Sequence, residues 1–174
     1  DSPHLDRIFR KVSGTIISQI DSLSRIATEF SAFARMPKGR LERTDLVDIL
    51  TNVTDLYAQD DVRLDAETAD AHLLVEVDKE QISRVFNNLI KNGLQAMPED
   101  RAPKIRVSTT VRDKQVIVAV RDNGTGIPPE LQERIFMPNF STKNSGMGMG
   151  LAIVRKIVEF CDGDIYFETE ENVG

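Results

Sequence analysis

The sequence holds one cysteine, Cys161, in 174 residues. No disulfide framework can form within a single chain, which points to a reducing compartment. In its apolar helical setting the thiol is expected to be a buried core group, not a reactive one. Histidine is nearly as scarce, with only His4 and His72. No apolar run approaches the ~20 residues that span a bilayer, and no signal peptide is visible. The expected location is therefore cytoplasmic, for a chain whose parent protein could be membrane-anchored. Basic residues are outnumbered, 22 against 28 acidic, for a formal net charge of −6. That balance argues against nucleic acid as a partner, because phosphate backbones need a basic surface. One phosphorylated small molecule is not excluded, since it needs only local donors. Internal repeats and low-complexity segments are also lacking. What is present is a 40% hydrophobic content, enough for one compact domain plus an appendage.

Residues 1–36 carry the appendage. Ile16, Ile20, Leu23, Ala27, Phe30 and Ala34 recur at spacings of four and three, a heptad seam. Phe9 extends it backwards, and Ile17, Ile26 and Phe33 widen the apolar face, so this helix is expected to pair in a hairpin or homodimer. Met36-Pro37-Lys38-Gly39-Arg40 breaks it, and residues 37–40 read as a linker before a domain at 41–174. There, Leu46, Ile49, Leu50 and Val53 suggest a helix capped by Thr44 or Asp45. Leu73–Val77 suggests a strand, and Gln81–Met97 a strongly amphipathic helix ended by Pro98. Lys104–Val111 and Val116–Arg121 flank Arg112-Asp113-Lys114 as a hairpin. Pro129–Arg134 reads as a short helix, Gly150–Cys161 as a helix stopped at Asp162-Gly163 by a glycine cap, and Asp164–Thr169 as a last strand. Helices mixed with mostly hairpin-linked strands imply a two-layer α/β sandwich preceded by a long heptad helix.

Four stretches carry chemistry. In "NSGMGMGLAIV", Gly146, Gly148 and Gly150 alternate before a helix. No Gly-Lys-Ser/Thr follows, so it is not a Walker loop, and Leu151 stands where a dinucleotide fingerprint needs its third glycine. Glycines still let backbone amides approach a ligand, and a helix start adds roughly half a positive charge, which suits phosphate. A flexible loop ending at a helix is the other reading. In "DNGTGI", Asp122 follows a strand directly, where its carboxylate could accept a hydrogen bond from an exocyclic amine such as adenine's and repel the carbonyl of guanine. Asn88 and Asn92 in "NNLIKN" are four apart and share a helix face. An amide oxygen there suits Mg²⁺ when phosphates supply the charge, although a polar surface stripe has the same spacing. "FMPNFSTK" reads as a mobile lid whose Lys143 reaches phosphates, or as a surface loop with core anchors.

In this order the four stretches resemble the N box, first glycine box, F box and second glycine box of sensor histidine kinases. That ATP-binding domain is shared with gyrase, the heat-shock chaperone and mismatch-repair ATPases. "NFSTKNSGMG" is most similar to the nitrogen-regulation type. The resemblance implies a Bergerat-type fold binding ATP and Mg²⁺. It implies that Asn92 ligates the metal, that Asp122 binds the adenine amino group, and that Gly124 and Gly126 let the backbone pass close to the base. Thr142 and Lys143 would contact phosphates beside the amides around Gly146, Gly148 and Gly150, with Ile127, Phe136 and Leu151 completing the nucleotide set. Asn88 and Lys143 are the implied catalytic pair. Asn88 stands where hydrolysing relatives carry a glutamate base, and an amide cannot take a proton from water, which favours phosphoryl transfer over hydrolysis. The implied partners are a response regulator and a histidine-bearing helix. That helix is not expected here, since His4 sits before the heptad helix and His72 beside a strand. The family also usually continues into one more strand after Gly174. A superfamily ATPase clamp and a non-catalytic nucleotide-binding interaction module are the competing readings. Gly93 and Met149 replace the more usual alanine and leucine, with small effects expected.

Overall fold

The computed structural model describes residues 3–34, 39–69, 71–138, 140 and 148–170. They fall into two compact units, divided between Pro37 and Lys38.

The first unit is α1 (Pro3–Ala34). His4, expected ahead of the helix, lies inside its first turn. Phe9, Ile16, Ile17, Ile20 and Leu23 all project into solvent. The side chains of Ile26, Phe30, Phe33 and Ala34, like residues 35–38, which include the start of the expected linker, lie outside the described residues.

The second unit has helices in one layer and strands in the other. α2 (Leu46–Asp55), α4 (Lys79–Gln95) and α6 (Gly150–Phe160) form the helical layer, with α4 between the other two. One sheet has the order β2-β4-β5: β2 (Val62–Leu64) runs parallel to β4 (Ile105–Arg112), and β4 antiparallel to β5 (Gln115–Arg121). A second ribbon pairs β1 (Glu42–Asp45) with β3 (Leu74–Val77). Two single-turn helices, α3 (Ala66–Ala69) and α5 (Pro129–Gln132), and a short 3-10 helix at Ala58–Asp60 complete the elements among the described residues. The core lies between the layers, where Ile49, Leu50, Ile90, Ile105, Val107, Val154 and Ile157 are fully buried. Burying each such aliphatic side chain is worth about 1.5–3 kcal/mol.

Local chemistry explains the boundaries. Asp45 caps α2, its Oδ1 accepting from the Val47 amide at 3.1 Å, and Asp78 caps α4, accepting from Gln81 at 3.0 Å. Asp113 and Lys114 both have positive φ, 50° and 67°, which makes the β4–β5 turn a two-residue type I′ turn matched to the strand twist. α6 ends in a Schellman motif. The Gly163 amide donates to Val158 O at 3.0 Å, and Asp162 to Glu159 O at 3.1 Å. The left-handed residue there is Asp162 (φ 53°), not the glycine expected to cap the helix. Short acidic side chains tolerate that region, and Gly163 serves instead by lying against Val158.

Two further expectations change. Asp164–Thr169 alternates half-buried and exposed residues as a strand would, but it joins no sheet among the described residues. Alternation decides which face is covered, whereas a strand also needs a neighbour's backbone. Cys161 is half-buried at the C-cap of α6 rather than fully in the core. Desolvation, with Asp78 and Asp162 nearby, raises its pKa, so the thiol stays protonated and unreactive at neutral pH.

Candidate functional site

One face of α4 organises the site. Asn88 Nδ2 donates to Arg84 O at 2.9 Å, which holds the amide along the helix. Its Oδ1 faces the first residue of α6, where a methyl group on Gly150 would lie 3.1 Å away. A methyl there would press on the Asn88 amide oxygen inside ordinary van der Waals contact. The neighbouring Asn87 turns elsewhere and is structural: it accepts from the Tyr57 hydroxyl at 2.9 Å and donates to Ser83 O. Asn92, half-buried one turn beyond Asn88, makes no side-chain hydrogen bond among the described residues.

α6 begins at Gly150 without a side-chain cap and with no acidic residue in its first turn. Such a helix start offers amides and the positive end of a dipole, the arrangement that suits anions. Met149 before it is buried and anchors the turn, and Leu151 is half-buried at the second helical position. Gly148 has φ 64°, and a methyl there would collide with the backbone of Phe140, so the ends of the intervening loop touch. Phe140 in turn lies under the Arg134 guanidinium at 4.6 Å. Thr142, Lys143 and Gly146 lie outside the described residues.

Further along α4 stands Asp122, just beyond β5. Its Oδ1 accepts from the Gly124 amide at 2.8 Å, and its Cβ and Oδ2 lie against Gly93 of α4. Gly93 is five residues from Asn88, about 7.5 Å further along the helix axis and about 140° around it. Gly124 is wedged between the Asp122 carboxylate and Ala96, and Thr125 N donates to Ala96 O at 3.1 Å. Gly126 (φ 72°) passes so close to the Glu170 carbonyl that a methyl would sit 2.5 Å from its oxygen. Ile127 N donates to Thr169 Oγ1 at 2.8 Å.

Sequence reasoning missed the residues that hold this loop. Arg101 Nη1 donates to the carbonyls of Asn123 and Gly124, at 2.6 and 2.9 Å. Asn123 Oδ1 accepts from Lys104 N at 2.8 Å, and its Nδ2 donates to Ala102 O at 3.1 Å. Asn at the second place of "DNG" is a turn signal, but nothing in the spacing named Arg101 or Thr169 as partners.

Phe136 goes to another place. Arg155 stacks over its ring at 4.3 Å and Phe167 packs at 6.1 Å. With Tyr166 and Gln132 they wall a cavity of about 290 Å³, to which Asn88, Asp122 and Gly150 do not contribute. Among the described residues no group of three or more His, Cys, Asp or Glu could hold a metal ion. A cation on the α4 face would depend on ligand oxygens and a neutral amide.

Residues 77–174 match the family model described as "Histidine kinase-, DNA gyrase B-, and HSP90-like ATPase". The nitrogen regulation protein NtrY of Azorhizobium caulinodans is 34% identical over 91% of this chain and 21% of its own length. Sporulation kinase D of Bacillus subtilis is 31% identical over 91% of this chain and 32% of its length. The chain thus spans between about a fifth and a third of these curated relatives. The nucleotide-free catalytic domain of histidine kinase ThkA superposes with a TM-score of 0.63 at 33% identity, over 76% of this chain and 89% of that one. The chain belongs to the histidine kinase-, DNA gyrase B- and HSP90-like ATPase family, as an ATP-binding catalytic domain of the sensor histidine kinase type.

Proposed function

We propose that this chain binds Mg-ATP beside α4, along Asn88, Asn92 and Gly93, and delivers the γ-phosphoryl group to a histidine carried on another helix of the same kinase. Two chemically different groups meeting α4 about 7.5 Å apart along its axis support this reading. An uncapped helix N-terminus stands opposite Asn88, and a carboxylate with one oxygen already fixed by a backbone amide stands against Gly93. In this reading Asp122 accepts from the adenine amino group, and the loop of Gly124, Gly126 and Ile127 passes beside the base. The phosphates lie toward Gly148, Gly150 and Leu151, with Thr142, Lys143 and Gly146 contributing from the segment between Phe140 and Gly148. Asn92 holds Mg²⁺, which neutralises phosphate charge when bound.

The terminal P–O bond to ADP breaks as a P–N bond to the imidazole forms, and ADP leaves. Asn88 has no basic group for activating water, so the protein's part is to orient the nucleotide and stabilise charge. Lys143 supplies a cation to the transferring group. α1, with its exposed apolar residues, pairs with a second copy or with a histidine-bearing helix, and a response regulator takes the phosphoryl group onward.

Titration with a fluorescent adenine nucleotide, with and without Mg²⁺, tests the binding. Asp122→Asn should weaken it roughly tenfold or more, and Asn92→Ala should remove most of the Mg²⁺-dependent part. Absence of saturable binding, or binding indifferent to Asp122→Asn, overturns the reading. Supplying the histidine helix in trans with labelled ATP tests the transfer, and binding without transfer of label supports an interaction module instead.

A further inference from the structure

The Asp122 carboxylate is held by a main-chain amide, and the peptide carrying that amide is itself held. Oδ1 accepts from Gly124 N at 2.8 Å, while Oδ2 accepts no hydrogen bond among the described residues. The Gly124 N–H and the Asn123 carbonyl belong to one peptide. A trans peptide is planar and points the two groups in opposite directions. On its far side the Asn123 carbonyl accepts from Arg101 Nη1 at 2.6 Å. The other hydrogen of that nitrogen goes to the Gly124 carbonyl at 2.9 Å. The amide of this second peptide, on Thr125, donates to Ala96 O at 3.1 Å. One guanidinium nitrogen thus fixes two successive peptides, anchored on their other sides to Asp122 and to the C-cap of α4. Arg101 is half-buried in the turn after α4, which its own amide closes on Pro98 O at 3.2 Å. It makes no ion pair among the described residues, so its charge is directed at these carbonyls.

We infer that Arg101 is a positioning residue for nucleotide recognition: acting through the Asn123–Gly124 peptide, it fixes Asp122 Oδ1 and so aims Oδ2 at the base. This rests on the reading of Asp122 given above. A cation on the carbonyl polarises the peptide and strengthens the bond from its N–H, by roughly 10–30% for each linked bond. Bonds from a charged donor are also about twice as strong as neutral ones, so the peptide resists rotation. With Oδ1 held, the plane of the carboxylate is set and Oδ2 keeps one direction. Without Arg101 the peptide turns, the Gly124 amide leaves Oδ1, and the carboxylate spreads over several rotamers. Binding must then supply that ordering.

Arg101→Met keeps an apolar stem and removes both donors. The test is calorimetric titration of the 174-residue chain with ATP and with inosine triphosphate, which carries a carbonyl in place of the amine, both with Mg²⁺. The ratio of the two dissociation constants is the readout, since general damage to the fold weakens both ligands alike. The unaltered chain should prefer ATP by roughly tenfold or more, and Asp122→Asn should abolish or invert that preference. Arg101→Met should lower the ratio by about threefold or more. In the ligand-free chain the Gly124 amide proton resonance should move upfield as its bond to Oδ1 loosens. A ratio that responds to Asp122→Asn but not to Arg101→Met overturns the positioning role and leaves the base reading intact. A ratio indifferent to Asp122→Asn overturns the base reading itself. An unmoved Gly124 resonance overturns the link through the peptide. Should Arg101→Met not fold, Arg101→Lys carries the same test, because its ammonium stops one atom short of the two carbonyls. A lowered ratio then supports the role, and an unchanged one overturns it.

Discussion

Gly124→Ala perturbs the Asp122 loop at its tightest point. The backbone there needs no positive φ, so the effect is purely one of space. An added methyl would lie 2.8 Å from Asp122 Oδ1, 2.9 Å from Ala96 Cβ and 3.0 Å from Ala96 O. Two of these neighbours cannot swing aside: Ala96 is the C-cap of α4, fixed by backbone bonds to Asn92 and Gly93. Relief must come from the Asp122 carboxylate, which gives up its bond from the Gly124 amide. Overpacking costs about 1–3 kcal/mol, and a hydrogen bond to a charged group is worth ~1.5–3 kcal/mol. Because the methyl and the bond contest the same space, the two terms overlap. The less flexible unfolded chain returns about 0.4–1 kcal/mol. The net loss is about 2–3 kcal/mol, which for a unit of this size lowers the melting temperature by roughly 6–10 °C. Circular dichroism melts of the purified chain measure it. Gly14→Ala is the control, since nothing lies within 4 Å of a methyl on that α1 residue. If Gly124→Ala melts within about 2 °C of the unaltered chain, the wedge between Asp122 and Ala96 is not rigid, and the reasoning fails.

Asp45 joins three groups: Val47 N and Leu73 N on Oδ1, and His72 Nδ1 on Oδ2 at 3.0 Å. The bond from His72 is the main cause holding its pKa below the ordinary 3.8, opposed by desolvation and helped by the two amides. A depressed carboxylate contributes stability that is fully present above the unfolded value and disappears as pH falls through the folded one. Asp45→Ala should therefore cost about 1 kcal/mol at neutral pH. The gap in urea midpoint should close as the pH drops below that carboxylate range, and a gap constant across the acid range would refute it. Tyr57→Phe removes the bond to Asn87 Oδ1 and should cost about 1 kcal/mol in denaturant melts, while leaving adenine nucleotide affinity unchanged. Weakened affinity would instead place Asn87 among the binding residues.

How much was legible follows from the range of each interaction. α4, its apolar face and its end near Pro98 could be read from periodicity, and the start of α2 at Thr44 or Asp45 and the β4–β5 hairpin around Arg112-Asp113-Lys114 from local turn and cap chemistry. Each depends on residues within a few positions of one another. β1 and β2 are three or four residues long, too short for alternation to register. The parallel pairing of β2 with β4 spans some forty residues of chain that no local pattern reports. Asp164–Thr169 failed as a strand for the complementary reason, since its pattern is right but a ladder requires a neighbour.

The sequence by itself determined the chemistry: which residue types stand in the four motifs, that a phosphorylated ligand suits them, and that no base occupies position 88. Tertiary structure alone decided which of those residues meet. It set Asn88 against Gly150, turned Asn87 toward Tyr57, and carried Phe136 to Arg155 and Phe167. It also brought Arg101 to the Asp122 loop. Along the chain that arginine is one charge in a turn. In three dimensions it holds the peptide whose amide binds Asp122. The physical reason is that side-chain type is local, whereas the space around a side chain is fixed by segments distant in sequence that pack within an ångström of one another's limits.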